Sequence, residues 1–389
     1  QERTRPVFLA LRDLRFATGR FALMGSVVAL ISLLLVMLSG LTAGLGGQNT
    51  AAIDRLGEQG VQRLVFGGAA GQEPTASFTQ SEFTVAQRDA WAATDGVASV
   101  EPLGVSQGRA IGLEHPVDTD PQGRADVSGE PTTGVATTAF IGLTPGGSDA
   151  PAGVEPGQIV LSQDVADSLH AQAGDAVAVS GFVYTVADVV PTEYYSHSPV
   201  TWLALEDWNA ISHTADDAVL GTAGLVRFDA GADVDAVAAA GDDAAGTVAE
   251  TVKGSYAALP SYRSENGSLM TMQGFLYGIS ALVVIAFLSI WTVQRTRDIA
   301  VLKALGGSNG WVLKDSLAQA AFVLVGGVAV GTGLAAAIGA FAGRAVPFEL
   351  SWATTAVPAA GVLVLGMLAA VVAVYRVTRI DPLVALGGN

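Results

Sequence analysis

The sequence predicts a membrane α-helical protein: four transmembrane helices plus one large extracellular α+β domain inserted between the first and second. Three observations carry this. Charged residues make up 14 % of the 389 and apolar ones 50 %, where about a quarter charged is ordinary for a soluble chain. Four uncharged apolar runs, residues 21–45, 267–294, 316–343 and 356–375, each reach the ~20 residues a helix needs to cross a hydrocarbon core of ~30 Å. The charge is also divided. Residues 46–268 hold 30 acidic and 8 basic side chains, net −22, and the remainder holds 6 acidic and 12 basic, net +6.

Each element follows in order. Residues 1–20 carry Arg3, Arg5, Arg12, Arg15 and Arg20, which places them in the cytoplasm, because short flanks rich in Arg and Lys stay inside. The run 21–45 is longer than the ~7–15 apolar residues of a secretory signal, so it reads as an anchor. A stalk extends the helix to about residue 60, since Leu45, Ile53 and Leu56 alternate with Gln48, Asp54, Glu58 and Gln62 at helical spacing. Residues 61–265 form the extracellular domain. Strands are expected at 61–66, 97–105, 134–143, 158–161, 176–179, 182–190, 200–205 and 225–228, and helices at 84–94, 162–171 and 232–240. The Gly-, Pro- and Asp-rich stretch 114–133 reads as a loop. After the second span (267–294), residues 295–315 set Arg295, Arg297, Lys303 and Lys314 against Asp298 and Asp315 and are cytoplasmic. A third span (316–343), an extracellular hairpin (344–355), a fourth span (356–375) and a cytoplasmic tail (376–389) with Arg376 and Arg379 complete the chain.

Composition excludes several functions. There is no cysteine, hence no disulfide and no thiolate metal site. The acidic domain would repel phosphate, which argues against nucleic acid. Lys253, Lys303 and Lys314 are the only lysines and none closes a G-x-x-x-x-G-K pattern, so ATP would have to be bound by another subunit. No charge lies within the four runs, which disfavours an ion pathway. His115, His170, His197 and His213 show no close metal-ligand spacing; His197 is expected to order a loop before a strand. Tyr194 and Tyr195 read as packing, and no G-x-S-x-G motif supports hydrolysis. Glycines four apart, Gly40/Gly44, Gly327/Gly331 and Gly339/Gly343, have the spacing that close helix approach in membranes uses.

Three local stretches, LALRDLRFATGRF (9–21), QRTRDIAVLKALGGS (294–308) and YRVTRIDPLVALGG (375–388), resemble the MacB/FtsX-type permeases of ATP-binding-cassette systems. Within the domain, GDAVAVSGFVYTVADVV (174–190) and SHSPVTW (196–202) look like the heterocyst-type and haem-exporting branches of that family, the haem-exporting one being nearer. The resemblance implies a cytoplasmic ATPase subunit as partner, a second copy of the permease in a homodimer, and a coupling helix seated on the ATPase. That helix would use Arg297, Asp298, Ile299, Leu302, Lys303 and Leu305, with Gly306 and Gly307 ending it; a helix lying on lipid headgroups is the competing reading.

If the cargo is haem, taken from the outer leaflet, the resemblance implies a site where the first two helices leave the membrane. Glu58 is then the expected iron ligand, with Met270 or Met272 as second choice. Arg55, Arg63 or Arg263 would pair with propionates, and Phe275 and Tyr277 would flank the macrocycle. No intrinsic cofactor is expected; haem is cargo, and ATP sits on the partner. Export of an antimicrobial peptide or lipid, or FtsX-like transmission of force to an extracellular protein, remain open. The Ala-, Gly-, Val- and Asp-rich composition points to a GC-rich source and a Gram-positive plasma membrane.

Overall fold

The computed structural model describes residues 18–69, 72–212, 218–294, 309–344 and 346–378. The chain divides into two compact units, residues 46–265 and the flanking 1–45 with 266–389. The expected coupling residues Arg297, Asp298, Ile299, Leu302, Lys303 and Leu305, as well as His213, lie outside the described residues.

Helix α1 runs over Thr18–Glu58. There follow strands β1 (Arg63–Phe66) and β2 (Phe83–Thr84), helix α2 (Val85–Ala92), and strands β3 (Val97–Leu113), β4 (Thr132–Leu143) and β5 (Gln158–Ser162). Helix α3 (Gln163–Leu169), strands β6 (Ala176–Val179), β7 (Phe182–Val190), β8 (Tyr194–Tyr195) and β9 (Ser198–Ala204), and helix α4 (Leu205–Ile211) come next. Strands β10 (Val219–Gly221) and β11 (Ala223–Phe228), helix α5 (Val234–Ala245), strand β12 (Val248–Thr251) and a 3-10 turn at Gly254–Ala258 complete the domain. Helices α6 (Pro260–Gln294), α7 (Asn309–Ala342) and α8 (Trp352–Thr378) follow.

The inserted domain is built on β3, a strand of 17 residues that serves two sheets. Its first half pairs antiparallel with β11, giving a four-stranded sheet in the order β12-β1-β11-β3. Its second half pairs with β4 and, through Ala110↔Val179, with β6. The pairs β4/β9, β9/β5, β5/β7 and β7/β6 complete the circuit. The result is a closed six-stranded barrel, and closure removes the exposed strand edges an open sheet would present. Its interior is packed by Ile159, Leu161, Val177 and Val186, with Val165 and Leu169 of α3 and Trp208 of α4. On the sheet, α2 and α5 cover Val65 and Val226 through Trp91 and Ala238. The stalk end of α1 supplies Ala52, Ile53 and Leu56 to a third cluster with Leu64, Phe66, Leu103 and Trp202. That is the side chain order the stalk's apolar spacing predicts.

Local chemistry explains several boundaries. Helix α2 starts at a reciprocal box in which the Gln87 N–H donates to Thr84 Oγ1 and the Thr84 N–H to Gln87 Oε1. Helix α4, which the apolar run 200–205 masked, begins as soon as Glu206 and Asp207 provide acidic first-turn residues. Helix α8 begins at Trp352, earlier than the apolar run. There Ser351 and Thr354 cap it reciprocally, at 2.9 and 3.2 Å.

Among the described residues, four helices are long and apolar enough to cross a membrane, spanning Phe21–Glu58, Pro260–Ile290, Lys314–Ala342 and Trp352–Tyr375. In the membrane unit, Phe21, Met24, Val28, Ile31 and Leu35 of α1 recur at three- and four-residue steps and are buried with Val284, Leu288, Val323, Leu324, Val362 and Ala369. Glycine permits the closest crossing. A methyl group on Gly331 would lie 2.1 Å from the Ala29 carbonyl oxygen, and one on Gly327 2.9 Å from that of Gly25. The Gly327/Gly331 pair therefore marks the α1–α7 contact, as its spacing predicts.

Candidate functional site

The membrane unit contains an apolar cavity of about 650 Å³. Leu34, Met37, Leu38 and Leu41 line it from α1, one helical stripe at i, i+3, i+4 and i+7. Met272, Phe275 and Leu276 line it from α6, and Ala342, Val346 and Phe348 close it. The hairpin is seated by three glycines. The Phe348 ring occupies the place a side chain would take at Gly40 or Gly339, 2.3 and 2.5 Å from where their Cβ atoms would be. The Glu349 N–H donates to the Gly40 carbonyl at 3.0 Å, and the Pro347 carbonyl lies over Gly44, 2.2 Å from a Cβ built there. Gln273 Nε2 donates to Thr42 Oγ1 at 3.2 Å, tying α6 to α1.

This volume lies within the ~300–1,000 Å³ of small-molecule sites. No charged side chain lines the wall, so the cavity suits the hydrophobic body of an amphiphile. Two thioethers, Met37 and Met272, are donors of the kind that ligate haem iron. Of the residues singled out from sequence, Met272 and Phe275 are in the lining. Met270 is 63 % exposed and outside it. Tyr277 packs instead against α8, where its ring would meet a Cβ on Gly361 at 2.8 Å. Met37 was not singled out; the Leu34, Met37, Leu38, Leu41 stripe was the signal available.

The remaining candidates belong to the inserted domain. Glu58 is exposed and has no ion pair among the described residues. Arg55 lies 3.6 Å from Glu193 and 4.6 Å above the Trp202 ring. Arg63 is ion-paired with Asp235. Arg263 is exposed. The two paired arginines thus have partners within the domain that sequence spacing does not show.

His197 is bonded through both its backbone and its ring. Ser196 and His197 have φ of 46° and 63°, left-handed values that non-glycine residues seldom adopt. Their backbone N–H groups donate to the carbonyls of Asn49 and Gln48 at 3.0 and 2.9 Å. The His197 ring Nε2 contacts both Glu265 oxygens at 3.0 and 2.9 Å, which requires the proton on Nε2. Asn49 Nδ2 donates to Glu265 at 3.2 Å, and Ser261 Oγ to Asn49 Oδ1 at 2.8 Å. No group of three or more metal-ligating side chains occurs among the described residues. Tyr195 packs edge-on to Phe78, and the Tyr194 hydroxyl bonds to Asp164.

Residues 270–382 match the family model described as FtsX-like permease C-terminal. Over 385 residues the chain is 21 % identical to HrtB of Staphylococcus epidermidis, provisionally named a hemin transport system permease protein, covering 98 % of this chain and 99 % of that one. With the like-named protein of Staphylococcus haemolyticus it is 29 % identical over 130 residues, 33 % of this chain and 37 % of that relative's length. The solved extracellular domain of the ABC-type transporter YknZ from Gram-positive bacteria aligns over 48 % of this chain and 96 % of its own, at 13 % identity and a TM-score of 0.31. The FtsX-like permease match thus takes in most of the second and all of the third and fourth membrane-length helices.

Proposed function

We propose that the protein is the permease subunit of an exporter that takes haem from the outer leaflet and expels it outward. The observation that carries this is the alignment with a hemin transport permease along essentially the whole of both chains. The cavity supports it, with apolar walls, the Phe275 ring and the thioethers of Met37 and Met272. Glu58 is the candidate carboxylate ligand in the domain, and Arg263 the candidate propionate partner, since Arg55 and Arg63 have acidic neighbours.

Hydrolysis of ATP belongs to a separate cytoplasmic subunit, because this chain has no phosphate-binding loop. Residues 297–305 would couple to it. A homodimer joined along α6 accounts for that helix burying only 17 % of its most apolar stretch, against 33–39 % for the other three spans. With both termini cytoplasmic and residues 46–265 outside, closure of the ATPases would switch the permease between two states. Export requires that haem bind the open state better than the closed one.

The test is a haemin titration of the purified permease with its ATPase, read at the Soret band, in wild type, Glu58→Ala, Met37→Leu and Met272→Leu. Saturable binding with a spectrum changed by one of these substitutions supports the reading and identifies the ligand. No saturable binding, with ATP hydrolysis intact, overturns it in favour of a peptide, lipid or force-transmitting permease.

A further inference from the structure

Arg55 and Glu58 stand three residues apart on α1, a spacing at which a guanidinium and a carboxylate on a helix can meet. In the domain they do not. The Arg55 guanidinium turns to Glu193, 3.6 Å away on the segment before β8, and lies 4.6 Å above the face of the fully buried Trp202. The Arg55 and Glu193 side chains are 21 % and 28 % exposed, so this pair is more shielded from water than a pair with exposed Glu58 would be. Glu193 Oε2 is buried without a hydrogen-bond partner, leaving Arg55 as the one charged partner of Glu193 among the described residues. Burial raises the Glu193 carboxyl, Arg55 lowers it, and the charge of Glu58 raises it further.

We infer that Glu193 is a positioning residue: it draws Arg55 onto Trp202 and away from Glu58, keeping the Glu58 carboxylate free to bind a cationic centre. In the export reading, on which the ligand's identity rests, that centre is the ferric iron of haem. A ring face and a half-buried carboxylate together outcompete the exposed neighbour one turn along the helix, because a cation gains more from both where water is partly excluded. Removing the Glu193 charge releases Arg55 to pair with Glu58, and a paired carboxylate is a poorer ligand.

The experiment needs no haem for its first arm. The full-length permease in detergent is treated with a water-soluble carbodiimide and glycine ethyl ester, and modification of Glu58 is read by mass spectrometry against exposed Glu155. Activation requires the carboxyl to take up a proton, which a guanidinium held against it opposes. Glu193→Gln should lower Glu58 labelling about threefold, the effect of one exposed ion pair, with Glu155 unchanged, and Arg55→Leu added to Glu193→Gln should restore it. The second arm repeats the haemin titration, expecting about threefold weaker binding in Glu193→Gln and recovery in the double variant. Unchanged Glu58 labelling in Glu193→Gln, or a loss the double variant fails to restore, overturns the assignment. Wild type that labels as expected but binds no haemin overturns the haem reading alone.

Discussion

The inserted domain buries Trp91, Trp202, Phe66, Phe78 and Phe83 almost completely, whereas the membrane unit leaves Phe275, Phe341 and Trp352 exposed by 69, 72 and 80 %. The domain is held by large side chains removed from water and by polar groups that find one another, as at His197 and Glu265. The membrane unit is held where side chains are missing. Gly327 and Gly331 let α7 meet the backbone of α1, and Gly40 and Gly339 admit Phe348. The solvent accounts for the difference. Lipid gives no reward for hiding an aromatic ring, so helices there associate by close backbone approach, while in water each buried ring contributes through the hydrophobic effect.

The comparison can be broken most forcefully at a tryptophan. Trp91 is fully buried and its Nε1 donates to Thr247 Oγ1 at 2.9 Å. Trp91→Ala should destabilise the domain by about 4 kcal/mol, read by urea unfolding, whereas Trp352→Ala in the membrane unit should shift stability by less than about 0.5 kcal/mol. Equal effects would mean that the two units are not built differently. A glycine sharpens the other side. Gly331→Ala should cost about 2 kcal/mol by overpacking, and Gly333→Ala, with nothing within 4 Å of its Cβ, should be silent in the same thermal melt in detergent.

A smaller effect tests the polar contacts. His197→Ala removes the ring that bonds Glu265 and should cost about 1 kcal/mol, with faster proteolytic cleavage near residues 190–198. An unchanged cleavage rate would show that the backbone bonds to Gln48 and Asn49 order the loop unaided. The smallest is a pH effect. The Asp207 carboxyl is raised by burial and, less, by Glu206, against a lowering hydrogen bond from the Gly157 N–H. It keeps its proton to higher pH in the folded state than in the unfolded chain. Its stabilising contribution is thus complete below the usual carboxylate range, near pH ~4, and is lost as pH rises through the folded value. Asp207→Asn, which retains an acceptor for Gly157, should gain on wild type between pH 4 and 7; a constant difference in melting temperature would contradict this.

Much of the architecture was legible along the chain. Runs of apolar residues without charge correspond to the four long helices, and the strands at 176–179 and 182–190 have the bounds their alternation predicts. Shorter pieces were not legible. β2, β8 and β10 have two or three residues each, too few for a period to show, and α4 continues directly from an apolar strand. In the candidate site, Met272 and Phe275 could be singled out because they stand near the start of the second apolar run, where that helix was expected to leave the membrane. Met37 could not, since a methionine among leucines looks like packing until its neighbours are known. Arg55 and Arg63 looked available because their partners, Glu193 and Asp235, lie more than a hundred residues away.

By itself, the sequence determined how many helices can cross a membrane and where the acidic domain is inserted. Those properties depend on composition and short periodicity, which solvent reads locally. Only the tertiary structure decided that β3 serves a sheet and a closed barrel, that Phe348 fills a notch between Gly40 and Gly339, and that Arg55 faces Glu193 instead of Glu58. Each of those is a choice among partners distant in the chain, and burial, shape and charge settle it only when all of them are present together.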